Sequence, residues 1–127
     1  PVRPNTIAKS LAIGNPADGL FALKTIQDSD GSGTSVPEED IVDGIKLLAE
    51  TEGVFTETAG GVAVAGLKRL VELERIGPDE VTVLYITGNG LKTQEAVEKV
   101  VNPLMVNPTI ESFEAELQKR TNSTNAR

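Results

Sequence analysis

The stretch Val81-Thr82-Val83-Leu84-Tyr85-Ile86-Thr87-Gly88-Asn89-Gly90-Leu91-Lys92 decides how the rest of the chain is read. Its first half, Val81–Ile86, is a continuous run rich in β-branched residues. Such a run is expected to be a strand buried on both faces of a parallel sheet. Gly77-Pro78-Asp79 turns the chain just before it. Its second half is a glycine-bracketed loop at the strand's carboxyl end, where open α/β sheets bind ligands. The loop is not a phosphate-binding P-loop, because the GxxxxGK spacing is missing. It is not a dinucleotide fingerprint either, because the third glycine is missing.

Upstream, Val54–Thr56 reads as a second short strand, with a third near Thr34–Val36. Between the first two, Glu57-Thr58-Ala59-Gly60-Gly61 opens a helix that runs to about Leu73. Thr58 is the expected cap. Val62, Ala63, Val64, Ala65, Leu67, Leu70 and Val71 leave this helix almost no polar face before Lys68, so it is expected to be buried on most sides. A domain of 127 residues rarely encloses a helix so fully, which suggests a larger structure. Two glycines at a helix start cost roughly 1 kcal/mol each relative to alanine. Close approach of another backbone, or of a ligand at the anion-attracting helix N-terminus, would compensate. Glu57 reads either as a first-turn carboxylate or as a site residue.

Further out, Pro37 to Glu52 is the clearest helix. Pro37 suits a first helical position, Glu38, Glu39 and Asp40 match the helix dipole, and Gly53 is a natural stop. Ile41, Ile45 and Leu48 form its apolar stripe. Asp18 to Gln27 has a helical pattern carried by Leu20 and Leu23. It comes after a Gly14-Asn15-Pro16 break, and Asp28 to Ser35 reads as a loop or a flexible linker. Thr93 is expected to cap a helix reaching about Val101. Residues 102–127 read as a C-terminal extension with one helix, on which Ile110, Phe113 and Leu117 are spaced, and a disordered end from Thr121. Strands alternate with helices, so the expected class is α/β, three layers, with a mostly parallel sheet and helices on both faces.

Composition narrows the chemistry. The chain has no Cys and no His, which removes disulfides, thiolates, imidazole metal ligands and Ser-His-Asp catalysis. No metal site is expected. The formal charge of -7 and the aromatic share of 3% argue against a nucleic-acid surface. No apolar run is long enough for a membrane span and no signal peptide is visible, so a cytoplasmic protein is expected. The first residue is Pro1 rather than Met, and the sequence reads as a fragment, a processed product or a trimmed chain.

Taken in order, IAKSLAIGNPADG from Ile7, EGVFTETAGGVAVAGLKRL from Glu52 and LYITGNGLKT from Leu84 resemble the threonine synthase family, within the fold-type II enzymes that use pyridoxal phosphate (PLP). The resemblance covers most of Ile7 to Val100. It implies that residues 1–101 are the C-terminal part of the enzyme's catalytic domain. It also implies the reaction, O-phosphohomoserine plus water to threonine plus phosphate, and a homodimeric intact enzyme. By the same resemblance, Thr87 would meet the pyridine nitrogen of PLP, Gly88 and Gly90 would let the backbone lie close to the ring, and Glu57 would lie near the cofactor. A neutral hydroxyl at Thr87 would not hold the ring nitrogen protonated as a carboxylate would, so carbanion charge must be stabilised partly by other means. The family's Schiff-base lysine and PLP phosphate loop belong to a preceding portion. None of the seven lysines here, Lys92 included, has the expected setting, so no catalytic residue is assigned and the chain alone is expected to be inactive. Related readings are threonine dehydratase, cysteate synthase, or a non-catalytic binding domain derived from such an enzyme.

Overall fold

The structure, a computed structural model, describes residues 1–101 and 103–125, with side chains described up to Asn122. The chain separates into two units, Pro1–Val97 and Glu98–Arg127. The boundary expected from sequence is at Asn102, which lies outside the described residues.

The first unit is built on helices α1 (Gly19–Asp28), α2 (Glu38–Glu52) and α3 (Thr58–Glu72), with 3-10 turns at Lys9–Leu11, Gly90–Lys92 and Gln94–Ala96. Helix α2 forms where its end signals lie. Glu38, Glu39 and Asp40 occupy the first turn, where they favour the dipole. Pro37 sits one position earlier than expected, in the flanking extended residue. Gly53 closes the helix at φ 67°, and its N–H reaches the Ala49 carbonyl at 3.1 Å. Helix α2 packs on α3, and the Lys9–Leu11 turn also lies against α3.

The core of this unit is small and aliphatic: Ile41, Ile45 and Leu48 from α2, Val64 and Ala65 from α3, with Ala8 and Val97. The helices meet through glycine. A Cβ on Gly61 would stand 2.5 Å from the Ile41 carbonyl oxygen and 2.7 Å from Ile45 Cγ1. A Cβ on Gly44 would run into the Gly61 carbonyl. The two backbones therefore touch, and this contact offsets the helix-propensity cost of Gly61. Of the two compensations open from sequence, backbone approach accounts for this glycine.

The expected three-layer α/β fold with a mostly parallel sheet is not formed. Among the described residues the architecture is helical, and β-pairing is limited to one isolated antiparallel bridge between Thr56 and Asn89. Thr34–Val36, Val54–Thr56 and Val81–Ile86 are not strands. Val81, Val83 and Tyr85 are 96%, 72% and 82% exposed. An apolar run becomes a sheet strand only when neighbours take up its N–H and C=O groups, and among the described residues no backbone hydrogen bond holds Val81–Ile86. The run specifies a surface that wants covering. It does not contain the cover.

The same physics shows on the helices. Helix α3 buries Thr58, Gly60, Gly61, Val64 and Ala65 but leaves Val62, Ala63 and Leu67 partly open and Val71 exposed. Helix α1 forms within one residue of its expected bounds, yet Leu20, Phe21, Leu23 and Ile26 are all exposed. The local signals suffice for these helices, while their apolar faces remain partly or wholly uncovered.

The second unit contains α4 (Glu98–Val101) and α5 (Ile110–Asn125). Thr109 caps α5: its hydroxyl accepts from the Ser112 N–H at 3.2 Å, satisfying a first-turn donor. Residues 121–125, expected from sequence to be a disordered end, continue α5. Ala126 and Arg127 lie outside the described residues. No helix among the described residues is long and apolar enough to cross a membrane.

Candidate functional site

The start of α3 and the Thr87–Thr93 loop fold onto one another, although they are some thirty residues apart. The junction is made by backbone. Gly90 N–H donates to the Phe55 carbonyl at 3.1 Å and Glu57 N–H donates to the Gly88 carbonyl at 3.5 Å. The Thr56 hydroxyl donates to the same Gly88 carbonyl at 3.3 Å. The loop is shaped from within by Asn89, whose side-chain oxygen accepts from the Leu91 N–H at 2.9 Å. That bond sets the entry to the Gly90–Lys92 turn.

Two glycines let the loop close. Gly88 has φ 78°, a left-handed conformation that favours glycine. A Cβ there would also overlap the Glu57 carboxyl group, and the Glu57 Cγ methylene would lie 2.7 Å from that position. A Cβ on Gly90 would stand 2.5 Å from the Phe55 ring. Gly90 is buried, whereas Gly88 is exposed to solvent on its other side. Glu57, Gly88 and Gly90, singled out from sequence, are therefore brought together. Thr87 is next to them in the chain and is exposed.

Glu57 is the N-cap residue of α3 by its backbone, but its side chain forms no cap hydrogen bond. It is 7% exposed. Its Oε2 lies 3.6 Å from Lys92 Nζ, an ion pair between a buried carboxylate and an ammonium on a largely exposed side chain. The N-terminal end of the α3 dipole also favours a negative charge here.

Two threonines behave differently from their sequence reading. Thr58, the expected cap of α3, lies instead inside its first turn, fully buried, with Oγ1 lacking a hydrogen-bond partner. Its N–H donates to the Thr93 hydroxyl at 3.2 Å. Thr93, the expected cap of a helix reaching Val101, spends its hydroxyl across the junction. Beyond it come a 3-10 turn, Gln94–Ala96, and the short α4. Residue type alone suggests capping for both, because threonine hydroxyls serve whichever donor is nearest. Phe55 and Lys92 are partners of Gly90 and Glu57 that the sequence reading misses. The signal for the second was available: an acidic residue before TAGG and a basic one ending TGNGLK.

The glycine pair at the start of α3 is closed by protein atoms. A Cβ on Gly60 would collide with Thr56, as one on Gly61 would with Ile41. Packing is therefore sufficient to account for both glycines. Among the described residues there is no cluster of acidic side chains able to hold a metal ion.

Comparison with known proteins adds to this picture. Residues 1–88 match the model of the pyridoxal-phosphate dependent enzymes. The chain belongs to that family. It is 45% identical over 93 residues to threonine synthase from Methanocaldococcus jannaschii, covering 73% of this chain and 23% of that protein. It is 39% identical over 111 residues to threonine synthase from Methanosarcina acetivorans, covering 87% and 27%. It is 42% identical over 89 residues to threonine synthase from a Bacillus species (strain ULM1), covering 70% and 25%. The chain thus spans about a quarter of the length of the curated relatives it matches.

Proposed function

We propose that this chain is part of a threonine synthase, converting O-phosphohomoserine and water to threonine and phosphate with pyridoxal phosphate as cofactor. The observation that carries the reading is the similarity to threonine synthases over 70% to 87% of the chain. The junction of Glu57 with the Gly88–Gly90 loop supports it, because residues assigned to one site from separate motifs fall together.

Bound pyridoxal phosphate supplies the electron sink for chemistry at the substrate's Cα. The residues here would line one side of the cofactor. Thr87, exposed at the head of the loop, would offer it a neutral hydroxyl, at the pyridine nitrogen by the family resemblance. Gly88 and Gly90 keep the loop free of side chains beside it. Glu57 holds a carboxylate against Gly88. By the family resemblance, we assign the loop that holds the cofactor's phosphate, and the Schiff-base lysine, to the remainder of the enzyme. The partners of this chain are then the remainder of the enzyme and O-phosphohomoserine. The family resemblance further favours a cytoplasmic homodimer.

The test is a product assay on the full reading frame that contains this chain. Equimolar phosphate and threonine from O-phosphohomoserine is the expected result. Deamination of threonine would point to a dehydratase, sulfite-dependent turnover to a cysteate synthase, and no turnover to a non-catalytic domain; each would overturn the proposal. The 127-residue chain alone, incubated with the cofactor and reduced with borohydride, is expected to show no single lysine labelled stoichiometrically. Such labelling would place the Schiff base within these residues.

A further inference from the structure

We infer that Lys92 is a positioning residue of this site, acting through Glu57. It holds the Glu57 carboxylate in its seat on Gly88, and so fixes the segment that carries Thr87. The inference rests on the proposed function in one respect: that this loop borders the cofactor.

The ion pair differs from the others described here in where its carboxylate sits. Lys9, Lys24, Lys68 and Lys119 pair with carboxylate side chains that are 35% exposed or more, whereas the Glu57 side chain is 9% exposed. Ion pairs between exposed groups contribute little, because water serves either partner almost as well. A buried carboxylate has no such alternative, and removing its cation leaves an uncompensated charge. Glu57 has little else to compensate it. It forms no cap hydrogen bond with its side chain, which among the described residues leaves the end of the α3 dipole and Lys92.

Lys92 is held at the right place. Its N–H donates to the Asn89 carbonyl at 3.1 Å, and the next residue's N–H donates to the Gly90 carbonyl at 3.1 Å. These bonds close the turn that presents the side chain. Its stem lies mostly in solvent, so the ammonium can reach the carboxylate from outside while Glu57 remains covered. Without the ammonium, the carboxylate regains hydration only by leaving its position against Gly88. Gly88 and Thr87 are adjacent in the chain, so that movement reaches the hydroxyl assigned to the cofactor ring.

The experiment uses the full-length enzyme and two readouts: steady-state kinetics with O-phosphohomoserine, and visible absorption of the bound cofactor without substrate. Lys92→Met is expected to bind the cofactor, to shift its absorption band, and to lower kcat on the order of ten- to a hundredfold, the scale of small misplacements of a reacting group. Lys92→Arg keeps the charge and is expected to restore both readouts to within about threefold of wild type. The Glu57→Gln/Lys92→Met double variant should be no worse than Glu57→Gln alone, because both changes break one coupled unit. Wild-type kcat and absorption in Lys92→Met, failure of Lys92→Arg to restore them, or losses that multiply in the double variant would each overturn the role of Lys92. An enzyme inactive on O-phosphohomoserine whose absorption still shifts in Lys92→Met and recovers in Lys92→Arg would sink the proposed substrate and leave Lys92's role standing.

Discussion

Replacing Gly61 and Gly66 by alanine, one at a time, tests the contact on which the first unit is built. The residues lie five positions apart on α3, so the helix-propensity gain is similar for both, about 1 kcal/mol in favour of alanine. Their surroundings differ. At Gly66 the new methyl would meet Thr34 Cγ2 at 3.7 Å and Val36 Cγ2 at 3.8 Å, ordinary van der Waals contacts. Gly66→Ala is therefore expected to stabilise the chain by about 0.5–1 kcal/mol. At Gly61 the methyl would stand 2.5 Å from the Ile41 carbonyl oxygen. That atom belongs to a helix backbone and cannot rotate away. Overpacking of this kind costs about 1–3 kcal/mol, and a backbone obstacle puts it in the upper part of that range. After the propensity gain, Gly61→Ala is expected to destabilise by about 1–2 kcal/mol. Urea titrations monitored by circular dichroism would report the two changes as midpoints moving in opposite directions at constant slope. Equal stabilisation by both substitutions would show that α2 and α3 do not touch at Gly61, and the packing argument would fail.

The site and the surface each supply a further test. If Thr87 meets the cofactor as proposed, Thr87→Ser in the full-length enzyme should be mild, while Thr87→Val would leave a buried acceptor unpaired and should lower kcat/KM about 5- to 150-fold; wild-type turnover in Thr87→Val removes Thr87 from the site. The Ile7 N–H donates to Glu38 Oε2 at 2.8 Å, and this bond, then the Thr6 hydroxyl, holds the Glu38 carboxyl below its usual value. A depressed folded value means that the stabilising bond is present above the ordinary carboxylate range and is lost as pH falls through the lowered value. The Ile7 amide resonance should therefore shift in that acid window together with the Glu38 carboxyl, and titration of Glu38 at or above the ordinary value would contradict the geometry.

Local signals account for most of what was legible in the sequence. The ends of α2 are set by Glu38, Glu39 and Asp40 at one end and Gly53 at the other, and each acts within a turn of its own position. Helix α1 forms with its apolar face uncovered, so its pattern needs no partner to be read. The motifs that resemble threonine synthase were legible for a similar reason: residue order along ETAGG and TGNGLK survives without any knowledge of contacts. Three of the four residues named from them, Glu57, Gly88 and Gly90, do meet.

Only the tertiary structure decides whatever depends on a second surface. The Val81–Ile86 run has the composition of a doubly buried strand, yet strand formation is a property of a pair, and among the described residues nothing pairs with it. Thr58 and Thr93 have hydroxyls suited to several uses, and their approach across the junction decided between them. Gly61 carried a cost whose compensation could have been a ligand or a backbone; the position of Ile41 settled it. The pairing of Glu57 with Lys92 had the same character, because charge is visible in a sequence while burial is not, and burial decides how much an ion pair matters.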